Sequence, residues 1–104
     1  MTNEQIQKLM AQIKSDYDEL GLPPRMWGAV QRYMEHGISP GHFLCAVIDN
    51  NLSEAVGRAD QENQTVLNKW VMFFYNAVPG RCWKSQANRS VWIEQGGLQG
   101  GVIQ

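Results

Sequence analysis

Apolar residues recur along most of this chain at three-and-four spacing, the period of an amphipathic α-helix, and no stretch alternates convincingly at the period of two that marks a strand. Ile6, Leu9, Met10, Ile13, Tyr17 and Leu20 form one stripe opposed by Glu, Gln, Lys and Asp, which predicts a helix over about 3–20. Thr2 and Gln5 have the form of a capping box at its start, and Gly21 is the expected left-handed residue at its end, with Leu22 placed to fold back on the last turn. Pro23-Pro24 stops that helix. Trp27, Val30, Tyr33 and Met34 predict a second helix over about 24–36, closed by Gly37.

Two short helices follow, back to back. Ser39 is placed to cap a helix whose first position is Pro40 and whose apolar face is Phe43, Leu44, Val47 and Ile48. Asn51 with Glu54 resembles a capping box for the next, and Asp60 predicts the cap of the one after. The longest helix is expected over about 61–78, where Val66, Leu67, Trp70, Val71, Phe73, Phe74, Ala77 and Val78 give a face wide enough to be contacted on two sides. Pro79-Gly80 ends it. Ser85 caps a last helix carrying Val91, Trp92 and Ile93 and terminated by Gly96-Gly97.

The fold class implied is all-α: a compact single domain of five or six short-to-medium helices with a Gly-rich C-terminal tail. Residues 1–22 are expected to form an N-terminal amphipathic extension available for oligomerisation, residues 23–97 the helical core domain, and residues 98–104 a flexible tail unless Val102 and Ile103 dock on a neighbour. With 104 residues the chain is long enough to bury a core without disulfide or metal staples.

Composition narrows the function classes more than it names one. The hydrophobic fraction of 43% and charged fraction of 18% exclude wholesale disorder, and a net charge of −1 gives no overall attraction to nucleic acid or anionic lipid. Charge is unevenly placed: Arg81, Lys84 and Arg89 meet only Glu94 near the C-terminus, while Asp49, Glu54, Asp60 and Glu62 meet only Arg58 in the middle. No run reaches the ~18 apolar residues of a membrane span, and the first residues do not read as a signal peptide. A cytoplasmic protein without membrane partner is expected.

Candidate chemistry is sparse. His42 and Cys45 share a helix face at a spacing a metal could use, with His36 and Cys82 as the remaining donors, but no paired ligand motif supports zinc, and no metal or cofactor is expected. The acids Glu54, Asp60 and Glu62 fall in first turns, where capping and the helix dipole explain them. There is no phosphate loop, nucleophile elbow or HExxH motif, so the expectation is not an enzyme. Trp83 stands apart from the other three tryptophans, in a link beside Cys82 and Lys84 with Arg81 and Arg89 near in sequence. An aromatic ring among cations can stack a base and hold a phosphate, or anchor a protein interface. The plainer alternative has Trp83 plugging the gap between the long helix and the last one.

The run from Gly37-Ile38-Ser39-Pro40-Gly41-His42-Phe43-Leu44 to Leu52, then Arg58-Ala59-Asp60 with Asn63, Tyr75-Asn76 before Pro79, Trp83 with Ser85, and Trp92-Ile93 before Gly96-Gly97, resembles a group of small proteins common in bacteriophage and prophage genomes. The resemblance covers about 26–97 and is most specific in the Pro-Gly-x-Phe-Leu segment with the downstream Arg-Ala-Asp. Ser39 stands where a second proline is expected, Asn51 where an aspartate is usual, and Lys84 where a glycine usually follows the tryptophan. The resemblance implies a phage setting, in which small accessory proteins commonly act by binding; with the separable first helix and apolar tail, the expectation is a non-enzymatic, oligomeric binding protein that counters a host defence or host function. It would block a host protein or sequester a small signalling nucleotide held by Arg81, Trp83, Lys84 and Arg89. A nucleic-acid-binding regulator using the basic C-terminal end, and a metal-dependent nucleotide hydrolase using the acids, are the alternatives.

Overall fold

The computed structural model describes residues 1–101, in which all regular structure is helical. Seven α-helices are present among the described residues: α1 (Asn3–Leu20), α2 (Trp27–His36), α3 (His42–Ile48), α4 (Leu52–Arg58), α5 (Gln61–Thr65), α6 (Leu67–Ala77) and α7 (Gln86–Gln95), with 3₁₀ turns at Pro24–Met26, Gly80–Cys82 and Gln99–Gly101. The all-α expectation holds. The helix count exceeds five or six because the helix expected over 61–78 breaks at Val66, whose φ of −117° and ψ of 19° leave the helical region. Thr65 spends its hydroxyl on the Glu62 carbonyl at 2.7 Å, and two consecutive β-branched residues, Thr65 and Val66, sit at the break.

Capping chemistry largely follows the sequence. The Thr2 hydroxyl accepts from the Gln5 N–H while the Gln5 side chain accepts from the Thr2 N–H, and Gly21, Gly37 and Gly96 close α1, α2 and α7 in the left-handed conformation. Asp60 and Ser85 accept from the N–H groups of Asn63 and Asn88. Two caps differ. α3 begins at His42 with Gly41 at the cap, because the Ser39 hydroxyl turns instead to the Pro40 carbonyl and the Cys45 sulfur. Asn51 accepts from the Glu54 N–H, but its own N–H is spent on the Ala46 carbonyl and the Glu54 carboxylate on Arg58, so no reciprocal box forms.

The core is aromatic and is centred on α6. Trp70 and Phe73 are fully buried; the Tyr17 ring of α1 meets both, Phe43 of α3 meets Trp70 edge-on, and Phe74 meets Trp83. Ile6, Ile13 and Tyr17 are also fully buried, so α1 is a wall of the core, and the expected division between an N-terminal extension and a domain beginning at residue 23 does not describe this packing. The physical reason is that the stripe of α1 has an intramolecular partner in α6. The flexible tail likewise needs correction in its first residues: Leu98 is buried, its N–H donates to the Met34 carbonyl at 2.9 Å, and the Gln99 side chain reaches Asn3 at 3.1 Å. The expected docking of Val102 and Ile103 lies outside the described residues.

α7 crosses the end of α2 where two glycines touch. A Cβ on Gly37 would stand 2.7 Å from the Gly97 nitrogen, and both residues have φ of +66°, so only glycine at each lets the backbones approach. The Trp92 indole N–H donates to the Tyr33 carbonyl at 2.8 Å across the same crossing. Among the described residues no helix is long and apolar enough to cross a membrane.

Candidate interaction surface

The four residues singled out at the C-terminal end do not form one open site. The link Pro79–Ser85 turns back over α6 and α3, held by the Lys84 N–H on the Ile48 carbonyl at 2.8 Å and by the Asn88 side chain on the Trp83 carbonyl at 2.7 Å. Trp83 is thereby only 6% exposed, its ring against Phe74 and Tyr75 of α6. Arg89 is half-buried and grips Asp49 with both arms, at 2.6 and 3.1 Å, which ties α7 to the end of α3. That hydrogen-bonded carboxylate, ahead of the opposing cost of burial, raises the Arg89 pKa further above its usual range.

Arg81 and Lys84 remain at the surface. The Arg81 guanidinium lies 5.5 Å from the centre of the Trp92 ring and the Lys84 Nζ 5.9 Å from that of Trp83, and among the described residues neither is in an ion pair. Lys84 also has φ of +90°, a backbone conformation that favours glycine. A lysine therefore stands where the backbone conformation favours a residue without a Cβ.

The acidic middle is occupied too. Arg25 bridges Asp60 at 2.6 Å and Glu62 at 3.0 Å at the surface. The Asn63 N–H, followed by Arg25, holds the Asp60 carboxyl below the ordinary carboxylate range. Arg25, Asp60 and Asn63 border an open cleft of about 480 Å³ whose lining also includes Met26, Phe43 and Leu44. The Pro-Gly-x-Phe-Leu segment and the Arg-Ala-Asp segment meet at this cleft, through Gly41 to Leu44 and through Arg58 and Asp60. Its cations are already neutralised, Arg25 as above and Arg58 by Glu54 at 2.7 Å. His36, His42, Cys45 and Cys82 are not brought together, and among the described residues no three His, Cys, Asp or Glu side chains cluster as metal ligands. Cys82 is fully buried with its thiol pushed up to about 12 by desolvation.

What is open is a strip of apolar side chains over α4 and α6. Leu52 is 67% exposed, Val56 45%, Val71 42%, Met72 49% and Tyr75 72%. Leu52 and Val56 are one turn apart on α4, Val71 and Tyr75 one turn apart on α6, and Leu52 and Val71 line the same shallow groove with Val47, Ala55 and Leu67. Tyr75 abuts Trp83, so the strip runs on toward Lys84. On its other side Met72 borders an open hollow of about 430 Å³ shared with Asp16, Glu19, Leu20, Asn76 and Ala77. The sequence carried a signal for this surface: Val71-Met72-Phe73-Phe74-Tyr75 is apolar without interruption and cannot all face one core. The expected two-sided burial of this helix is met on one broad side only, by Trp70, Phe73 and Phe74, and Val71 lies outside that side.

No family model, curated protein or solved structure matches the chain.

Proposed function

We propose that this chain is a non-catalytic binding protein of the phage accessory kind, which acts by covering part of a host protein and so counters a host defence or host function. The observation that carries the reading is the apolar strip Leu52, Val56, Val71, Met72 and Tyr75, five large side chains left in water by a molecule that buries its other aromatic clusters thoroughly. Contiguous exposed apolar surface of this kind is characteristic of protein-binding sites, and an aromatic anchor with aliphatic neighbours is a common centre for one.

Sequestration of a nucleotide by Arg81, Trp83, Lys84 and Arg89 draws less support, since the Trp83 ring is packed against Phe74 and the Arg89 guanidinium is committed to Asp49. A nucleic-acid regulator would rely on Arg81 and Lys84 with little else nearby, and a hydrolase would need acids that Arg25, Arg58 and Arg89 already hold. The test compares capture of host proteins by the wild-type chain and by the Leu52→Asp/Val56→Asp double variant. Both positions are exposed, so unchanged melting with loss of the captured species is expected; equal capture by both overturns the reading. Native mass spectrometry of the purified protein checks the nucleotide alternative, which a released nucleotide would favour.

A further inference from the structure

We infer that the α6 half of this strip is covered by a second copy of the chain, in an isologous dimer that packs α6 beside α6 in parallel. The inference rests on the reading of the strip as an interface and assigns its two halves different occupants: the second copy on α6, the target on Leu52 and Val56 of α4.

At about 100° per residue, the exposed arc of α6 runs from Val71 through Tyr75 and Asn68 to Met72 and Asn76. Its buried arc is filled by Trp70, Phe73 and Phe74. Charge differs between the two edges of the exposed arc. The edge at Val71 and Tyr75 leads to Trp83 and the unpaired cation of Lys84, whose backbone is anchored on Ile48. The edge at Met72 and Asn76 borders the hollow lined by Asp16 and Glu19, neither of them in an ion pair among the described residues. Lys69 lies on that second edge about one turn nearer the start of α6, beside Gly21. Cation and acids therefore flank the same, C-terminal, half of the helix from opposite sides.

A two-fold axis parallel to α6 exchanges left and right while keeping height. It sets the Lys84 edge of each copy against the acid-lined hollow of the other, twice, and closes Met72 and Tyr75 over their counterparts. An antiparallel packing would keep each edge against its like and oppose acid to acid. The hollow is wide enough to receive a lysine side chain. With α6 only 11 residues long the contact is short, and a dimer that dissociates in the micromolar range is expected.

Sedimentation velocity across a wide concentration range tests this. The wild-type chain should pass from monomer to dimer, Lys84→Glu should weaken the dimer about tenfold or more, and Lys84→Glu combined with Asp16→Lys and Glu19→Lys should restore it. Orientation is read by oxidative cross-linking: Tyr75→Cys should link to itself, whereas an antiparallel arrangement would require Tyr75→Cys to link to Asn68→Cys. A chain that stays monomeric throughout, a triple variant no better than the single one, or the mixed cross-link alone overturns the inference. If the dimer fails but Leu52→Asp/Val56→Asp still abolishes target capture, the strip remains a target surface; if the dimer forms and capture is unaffected, the functional reading fails alone.

Discussion

Lys84 shows how one residue can be at odds with its backbone. A non-glycine side chain at φ of +90° carries conformational strain of about 1 kcal/mol, which Lys84→Gly removes. In a domain of 104 residues that corresponds to a rise in Tm of about 4–8 °C, checked by calorimetry at dilution where the protein is monomeric. The same variant should lose self-association, because the cation goes with the strain. Cys82 gives a pH-dependent consequence. Burial raises its folded thiol pKa from the usual 9.0 to about 12, so the folded state holds a proton that the unfolded chain releases above pH 9. Its contribution to stability is complete below the unfolded value and is lost as pH climbs from 9 toward 12. Ellman's reagent at neutral pH should accordingly react with the half-buried Cys45 in the native protein and with Cys82 only after denaturation.

At the scale of the helices, the joint between α5 and α6 is held by a bond that spans the break. Asn63 is buried, and its side-chain oxygen accepts the Trp70 indole N–H at 2.9 Å. Asn63→Ala leaves that donor without a partner in the centre of the core and should cost about 2 kcal/mol in urea unfolding. Asn63→Asp keeps an acceptor oxygen, so it separates loss of the bond from loss of the side chain. The sequence marks Asp60 as a cap but carries no sign that Asn63 reaches a tryptophan seven residues later. A break at Val66 changes the relative direction of the two helices, and direction is not encoded in periodicity.

For the molecule as a whole, the decisive fact is that α1 belongs to the core. Removing residues 1–20 strips Ile6, Met10, Ile13 and Tyr17 from the core that holds Trp70 and Phe73. At about 1.5–3 kcal/mol for each buried side chain the loss is ~6–12 kcal/mol, comparable with the whole stability of a domain this size. The truncated chain should show no cooperative melting transition and should bind a hydrophobic dye; a sharp transition would return α1 to the status of an extension. The stripe of α1 specifies the helix but not its partner, since a one-sided stripe is equally satisfied by its own chain or by another, and the expected extension proves to be part of the core.

The sequence by itself determined the helical class, most of the caps and the positions of the chain reversals, because these depend on neighbours within about four residues: Thr2 with Gln5, Asp60 with Asn63, Ser85 with Asn88, and glycine at 21, 37 and 96. It also contained the excess of apolar residues around Val71 to Tyr75. Only the tertiary structure decided which were buried. Phe74 faces Trp83 and Trp70 while Tyr75, the next residue, stands in water, and Arg89 meets an aspartate 40 residues away. Those outcomes depend on contacts between segments far apart in the chain, and the short-range patterns that specify a helix carry no record of what its faces will meet.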